Sequence, residues 1–147
     1  MPADPSNVPL PPGLHWTIVL LLDIVTLGLF GYVWAIVQAL WARKSDRSSK
    51  ALGLYIIAIA LSVAGCILEF FNASVPIQAL IQIAAILVAT FGAFSVRDSL
   101  ADYITGVTGT RTWLSGLMTI FFGEVYLQYH MNRVRSFQRH PTLARAQ

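Results

Sequence analysis

Charged residues are scarce in this sequence, and cysteine is almost absent. Only 12% of its 147 residues are Asp, Glu, Lys or Arg, whereas 56% are hydrophobic. An ordinary soluble domain carries about 25% charged residues, and a soluble chain this small could not bury so much apolar surface. The composition therefore disfavours a soluble helical bundle and predicts a single-domain, all-α integral membrane protein.

The residues that catalysis and metal binding require do not occur in recognisable groups. Cys66 is the sole cysteine and lies in an apolar run, which excludes an internal disulfide and a cysteine metal site. His15 and His130 have no further ligands at metal spacing. No nucleophile with a base and no cofactor motif is present, so the sequence predicts a protein that is not an enzyme and holds no cofactor. The net charge of +3 comes from few, dispersed cations, which disfavours nucleic-acid binding.

The start of the chain differs in composition from the rest. The first 13 residues carry five prolines and neither Lys nor Arg. A signal peptide begins with positive charge, so we predict no cleavage and expect a disordered, extended arm over 1–13. A single membrane domain over 14–135 and a basic C-terminal tail over 136–147 complete the predicted organisation.

Four stretches within the membrane domain are apolar enough to enter a bilayer. They cover 14–42, 51–71, 77–96 and 112–130. Each of the middle two contains about 20 residues, or about 30 Å of helix, which matches the hydrocarbon core. The uncharged link between them, 72–76, is short, so these two segments predict a central transmembrane hairpin.

Small and polar residues recur at helical spacing on both segments of this hairpin. They are Ala58, Ser62, Gly65 and Glu69 on the second segment and Gln78, Gln82, Ala85, Ala89 and Gly92 on the third. Close approach through small residues is the usual way in which membrane helices pack. Antiparallel packing would place Glu69 opposite Gln78 and Gln82; the alternative is a polar pore along the same seam.

An internal repeat links the two outer segments. In each copy a Phe-Gly pair follows an apolar run and precedes an aromatic residue and an amphipathic stretch that ends in cations. The residues of this predicted turn motif are Gly28, Phe30, Gly31 and Trp34 in the first copy and Phe122, Gly123 and Tyr126 in the second. Glycine permits bends, so both copies predict a broken helix. Glu124 stands where the first copy has Tyr32, so we expect the second copy to sit shallower and closer to water.

The distribution of Lys and Arg bears on how the broken segments meet the membrane. All ten cations lie between the first two segments, around the link between the last two, or after the fourth. The positive-inside rule places these three groups in the cytoplasm, which four crossings cannot satisfy. Two re-entrant segments, each turning near its Phe-Gly pair and returning on the same side, satisfy it. The alternative is a pair of long tilted helices with tolerated glycines.

Asp23 is the most costly residue of the apolar segments. An acid at the centre of a membrane helix costs about 2.5 kcal/mol or more on insertion. With Thr26 one turn on, Asp23 is a candidate proton or cation site. The structural alternatives are a neutral, hydrogen-bonded carboxyl group, a salt bridge to an arginine at the rim, or a cap on the turn. The candidate intramembrane polar site comprises Asp23, Thr26, Glu69, Gln78 and Gln82.

Basic residues close both amphipathic stretches. Arg43 and Lys44 end the first, and Arg133 and Arg135 end the second. A cation near an anionic bilayer surface gains about 1 kcal/mol, so these four side chains are predicted to contact lipid headgroups. The bilayer is accordingly the first predicted partner.

Three stretches carry a family resemblance: His15-Trp16, the run Thr-Leu-Gly-Leu-Phe-Gly over 26–31 with Trp34 after it, and the run Gln-Tyr-His-Met-Asn-Arg over 128–133. Through them the chain resembles a group of small uncharacterised bacterial membrane proteins. Those proteins carry a Thr-Leu-Gly-aromatic-Gly stretch before a Trp and basic residues. The resemblance implies a multi-helix protein of the bacterial inner membrane and implies no established activity.

Taken together, these patterns predict a non-enzymatic structural or accessory subunit, or a membrane-shaping protein. It would act as a homo-oligomer or within a larger membrane complex, with its basic loops and C-terminus in the cytoplasm. The alternative function is a small oligomeric ion or proton channel or transporter that uses Asp23 and Glu69.

Overall fold

The computed structural model describes residues 10–72, 74–109 and 111–139, with side chains up to residue 136. Within these ranges all regular secondary structure is helical, which confirms the predicted all-α class. The helices are α1 (Trp16–Val25), α2 (Leu29–Ser45), α3 (Ala51–Phe70), α4 (Val75–Thr108) and α5 (Gly116–Arg139). Most of the predicted arm and all but the first residues of the predicted tail lie outside the described residues.

Two helices, α3 and α4, are long and apolar enough to cross a membrane. In each, only 22% of the most apolar 18-residue window is buried inside the structure. The core helix of a soluble protein would be mostly buried, so the exposed apolar faces of α3 and α4 suit a lipid environment. α4 extends beyond the predicted 77–96, continues through Gly106 and ends before Gly109, whose φ of 70° is left-handed.

The small-residue faces of α3 and α4 pack against each other as the sequence predicts. Gly65 lies against the side chain of Gln82, and Gly92 lies against the ring of Tyr55. A Cβ atom at Gly92 would stand 3.2–3.3 Å from three atoms of that ring. The absence of a side chain at Gly92 thus permits Tyr55, which is 2% exposed, to pack on the backbone of α4.

The apolar core lies at one end of this helix pair, where α2 and α5 join it. Trp41 and Tyr103 meet edge to face with ring centroids 5.3 Å apart. Leu100, Leu127 and Met131 are fully buried beside them. The core therefore ties the second half of α2 and the last part of α5 to the second half of α4.

Both outer segments are broken, as the internal repeat predicts. The first break lies at Leu27 and Gly28, whose φ angles are 53° and 90°. It involves Gly28 of the predicted turn motif and precedes Phe30-Gly31, which is helical. In the second copy the break falls at Gly123 itself, with φ 38° and ψ −117° inside α5.

The α3–α4 seam generates a stability prediction. We expect Gly92→Leu to lower the free energy of unfolding by about 1–3 kcal/mol, because the new side chain must displace the buried Tyr55 ring. Gly53→Leu is the matched control, since nothing lies within 4 Å of a Cβ atom there. Unfolding in detergent, followed by circular dichroism, measures both. Equal losses for the two variants would contradict the proposed seam.

Candidate functional site

The first break is capped by side chains from the preceding helix. The backbone N–H of Gly31 donates to Oδ1 of Asp23 at 2.8 Å. The hydroxyl of Thr26 accepts from the N–H of Phe30 at 2.9 Å and donates to the carbonyl of Leu22 at 2.7 Å. These bonds satisfy backbone groups that a turn at membrane depth would leave without water. Of the alternatives for Asp23, the structure confirms the cap on the turn.

Gly31 is needed for this cap. A Cβ atom on residue 31 would lie 2.7 Å from Oδ1 of Asp23. The second glycine of the predicted motif therefore does not bend the chain. It lets a carboxyl group approach the start of α2.

A second group of hydrogen bonds converges on the side chain of Gln128, which is 0% exposed. Its Oε1 accepts from Nε1 of Trp34 at 3.0 Å and from Nε2 of Gln38 at 3.3 Å. Its Nε2 donates to the carbonyls of Pro12 (2.9 Å) and Leu14 (2.7 Å) and to Oδ1 of Asn132 (2.9 Å). One amide thus joins the chain before α1, the helix α2 and the helix α5.

These bonds define the path of the first broken segment. Leu14 lies just before α1, and Trp34 lies on α2 after the break, yet both bond the same amide. The chain therefore doubles back between them. Its two arms lie side by side, with the turn at Thr26, Leu27 and Gly28 as the far point.

The second broken segment also folds back. The hydroxyl of Tyr126 accepts from the N–H of Ser115 at 3.0 Å. In a straight helix their separation of 11 positions would span about 16 Å, beyond the reach of a tyrosine side chain. The break at Gly123 lets the two halves of α5 meet.

A polar cleft of about 350 Å³ lies beside the two breaks. Its polar lining residues are Asp23, Tyr32, Ser62, Gln82, Thr90, Thr119 and Glu124. No Lys, Arg or His is among the described residues that line it. Asp23 and Glu124 both line this cleft, and both residues are half-buried.

A larger apolar groove of about 720 Å³ adjoins the cleft. The two share three lining residues, Tyr32, Ser62 and Gln82. The rest of the groove is formed by Leu29, Ile59, Val63, Cys66, Ile67, Phe70 and Phe71. The polar cleft therefore adjoins an apolar surface between α2 and the second half of α3.

The predicted polar residues do not form one group. Asp23 and Gln82 line the cleft, and Thr26 lies at the turn. Glu69 is exposed near the end of α3, and neither it nor Gln78 lines the cleft. The acid that accompanies Asp23 is Glu124, which our site prediction missed. The expectation that the second copy sits shallower and closer to water stays a prediction; Glu124 is half-buried and Tyr32 is 42% exposed.

The remaining turn-motif residues are structural, and the basic residues are divided. Phe30 stacks on Trp34 with centroids 5.8 Å apart, whereas Phe122 is 57% exposed. The side chains of Arg43, Lys44 and Arg133 are exposed. Arg135 is partly buried and donates to the carbonyl of Pro11 at 3.2 Å, so part of its hydrogen-bonding capacity is used within the protein.

Comparison of the chain with protein-family models, with curated proteins and with solved structures finds no match. The resemblance to small bacterial membrane proteins stays a prediction, and the assignment of function depends on the geometry above.

The Gln128 amide can be tested with a double-mutant cycle. Trp34→Phe removes one donor and should cost about 1 kcal/mol of unfolding free energy. Gln128→Leu leaves several buried polar groups unpaired and should cost about 2–4 kcal/mol. In the Gln128→Leu background Trp34→Phe should cost much less, because its partner is already gone. Strictly additive losses would show that the two side chains are not coupled.

Proposed function

We propose that this chain is a non-enzymatic integral membrane protein that widens one leaflet of the bilayer and thereby bends it. α3 and α4 would cross the membrane. The α1–α2 hairpin and the two halves of α5 would enter from the cytoplasmic side, turn at their breaks and return. The main support for the proposal is that Leu14 and Trp34 both form hydrogen bonds with the side-chain amide of Gln128. These bonds bring the start and the end of the first broken segment together.

The length of α1 supports entry into a single leaflet. Its 10 residues span about 15 Å, half of the hydrocarbon thickness. The cytoplasmic leaflet would then contain six helical pieces and the outer leaflet only α3 and α4. A cross-section that is larger on one side acts as a wedge.

The exposed tips of both broken segments support insertion. At the first, Val25, Leu27 and Leu29 are 70%, 94% and 70% exposed. At the second, Phe121 and Phe122 are 72% and 57% exposed. Apolar tips of this kind require lipid or protein to cover them. The bonds from Asp23 and Thr26 meet the requirement that turns at this depth leave no backbone group unpaired.

A second candidate function is a small oligomeric proton or cation channel or transporter. It is favoured by Asp23 and Glu124 in one cleft that lacks a lining cation. The structure offers Glu124 rather than Glu69 as the second acid of such a site. Transport would require an oligomer, because a chain with two membrane-length helices has little room for a continuous pathway.

Cysteine labelling tests the topology on which the wedge depends. In a Cys66→Ser background, cysteines at Leu10, Ser48 and Ser136 should react with an impermeant maleimide from the same side. A cysteine at Asn72 should react from the opposite side. Labelling at Leu10 and Ser136 from the side of Asn72 would instead establish four ordinary crossings and contradict the wedge.

Reconstitution tests the shaping activity itself. At rising protein-to-lipid ratios the wild type should convert spherical liposomes into tubules or small vesicles, seen by electron microscopy. Gln128→Leu should weaken this effect, because it releases the α1–α2 hairpin from α5. Gly53→Leu, on an open face of α3, is the control and should act like the wild type. Liposomes that stay spherical at the highest ratio would contradict the proposal.

A further inference from the structure

We propose that the polar cleft and the apolar groove together bind a lipophilic amine in its cationic form. The ammonium group would lie between Asp23 and Glu124, and the hydrocarbon chain would lie in the groove. This binding role is separate from membrane shaping and does not depend on it.

The charge of the cleft favours a positive occupant. It holds two carboxyl groups, and no cationic side chain is among its described lining residues. Glu124 is half-buried, whereas Asp23 already accepts the N–H of Gly31. A buried carboxylate without a counter-charge is costly, and an ammonium group supplies both charge and three donors.

A neighbouring hydroxyl also lacks a partner. Tyr55 is 2% exposed, and its hydroxyl has no hydrogen-bond partner among the described residues. It lies close enough to Glu124 for the two groups to interact electrostatically. The hydroxyl of Tyr55 is therefore a buried hydrogen-bonding group near Glu124 that the described residues leave without a partner.

A metal ion fits this site less well than an ammonium group. In the described parts of the chain, no group of three or more His, Cys, Asp or Glu residues could hold a metal. Calcium takes six to eight oxygen ligands, and two carboxyl groups do not approach that number. A metal ion also has no apolar part that could occupy the adjoining groove.

The groove selects for an apolar tail on the same molecule. It shares Tyr32, Ser62 and Gln82 with the cleft, so the two adjoin along these three polar side chains. Its remaining lining is aliphatic or aromatic apart from Cys66. Burial of each methylene there gains about 0.8 kcal/mol if the chain leaves water, and far less if it leaves lipid. The carboxyl groups must therefore supply the selectivity over bulk lipid.

Charge also excludes the ordinary anionic and neutral amphiphiles. A fatty acid or a phosphate-bearing headgroup would bring a negative charge to Asp23 and Glu124. A fatty alcohol would fit the groove but leave the acids without a counter-charge. Comparing an amine with an alcohol of the same chain length therefore separates the contribution of the cleft to binding from that of the groove.

The test uses the full-length protein in a neutral detergent, with dodecylamine, dodecanol and dodecanoic acid as probes. Native mass spectrometry counts adducts, and the unfolding midpoint reports stabilisation. We expect one dodecylamine per chain with a raised midpoint, and at least about tenfold weaker retention of the alcohol and the acid.

Three variants make the result specific. Asp23→Asn keeps the Oδ1 that accepts from Gly31 but loses the charge, and Glu124→Gln does the same at the second acid. Both should lower dodecylamine retention at least about tenfold. Glu69→Gln removes an acid outside the cleft and should bind like the wild type. Helix content by circular dichroism establishes that each variant is folded.

Several outcomes would overturn the proposal. Equal retention of dodecylamine and dodecanol would place the ligand in the groove alone. Loss of binding in Glu69→Gln as large as in Asp23→Asn would indicate attraction by overall charge. Absence of any adduct in the folded wild type would exclude the amine as a ligand. Asp23 and Glu124 would then interact with a proton or a small cation instead.

Discussion

The fold of the outer segments depends on one buried amide, that of Gln128. In the proposed bilayer setting, apolar side chains would not by themselves hold α1 and α2 against α5, because lipid tails would solvate them equally well. Hydrogen bonds among buried polar groups have no such competitor. Gln128 uses both acceptor positions of its oxygen and shares the two N–H donors of its nitrogen among three acceptors, and these bonds join residues before α1, on α2 and on α5. Its position therefore sets the register in which the broken segments meet.

A second polar group, Asp23, resolves an apparent conflict in the sequence. An acid within an apolar helix is costly, and a chain reversal at membrane depth is costly for a different reason. The structure places the acid where the reversal needs an acceptor, on the N–H of Gly31. Thr26 meets the same need at Phe30. Two unfavourable features thus offset each other, and the short sequence between Asp23 and Gly31 encodes both.

Composition and residue spacing predicted the parts of the fold that depend on short-range sequence. The helical class, the two membrane-length helices and the seam at Gly65 and Gly92 all follow from composition and spacing. The pairing of Asp23 with Glu124 does not, because it depends on where two distant breaks place their helices. Spacing along α3 pointed to Glu69 instead. The first break lies within the predicted turn motif, but Gly28 and Gly31 are equally permissive in sequence, and only the capping contact distinguishes the one that bends.

The internal repeat explains why the cleft exists. Tyr32 and Glu124 occupy equivalent places in the two copies, directly after the Phe-Gly pair, and both line the same cleft. The two broken segments therefore bring equivalent positions to the same cleft. The side chains at these positions differ between the two copies. One copy contributes a hydroxyl and the other a carboxyl group. Because Asp23 caps one break and Glu124 follows the other, the same reversals that would confine these segments to one leaflet also assemble the acidic cleft.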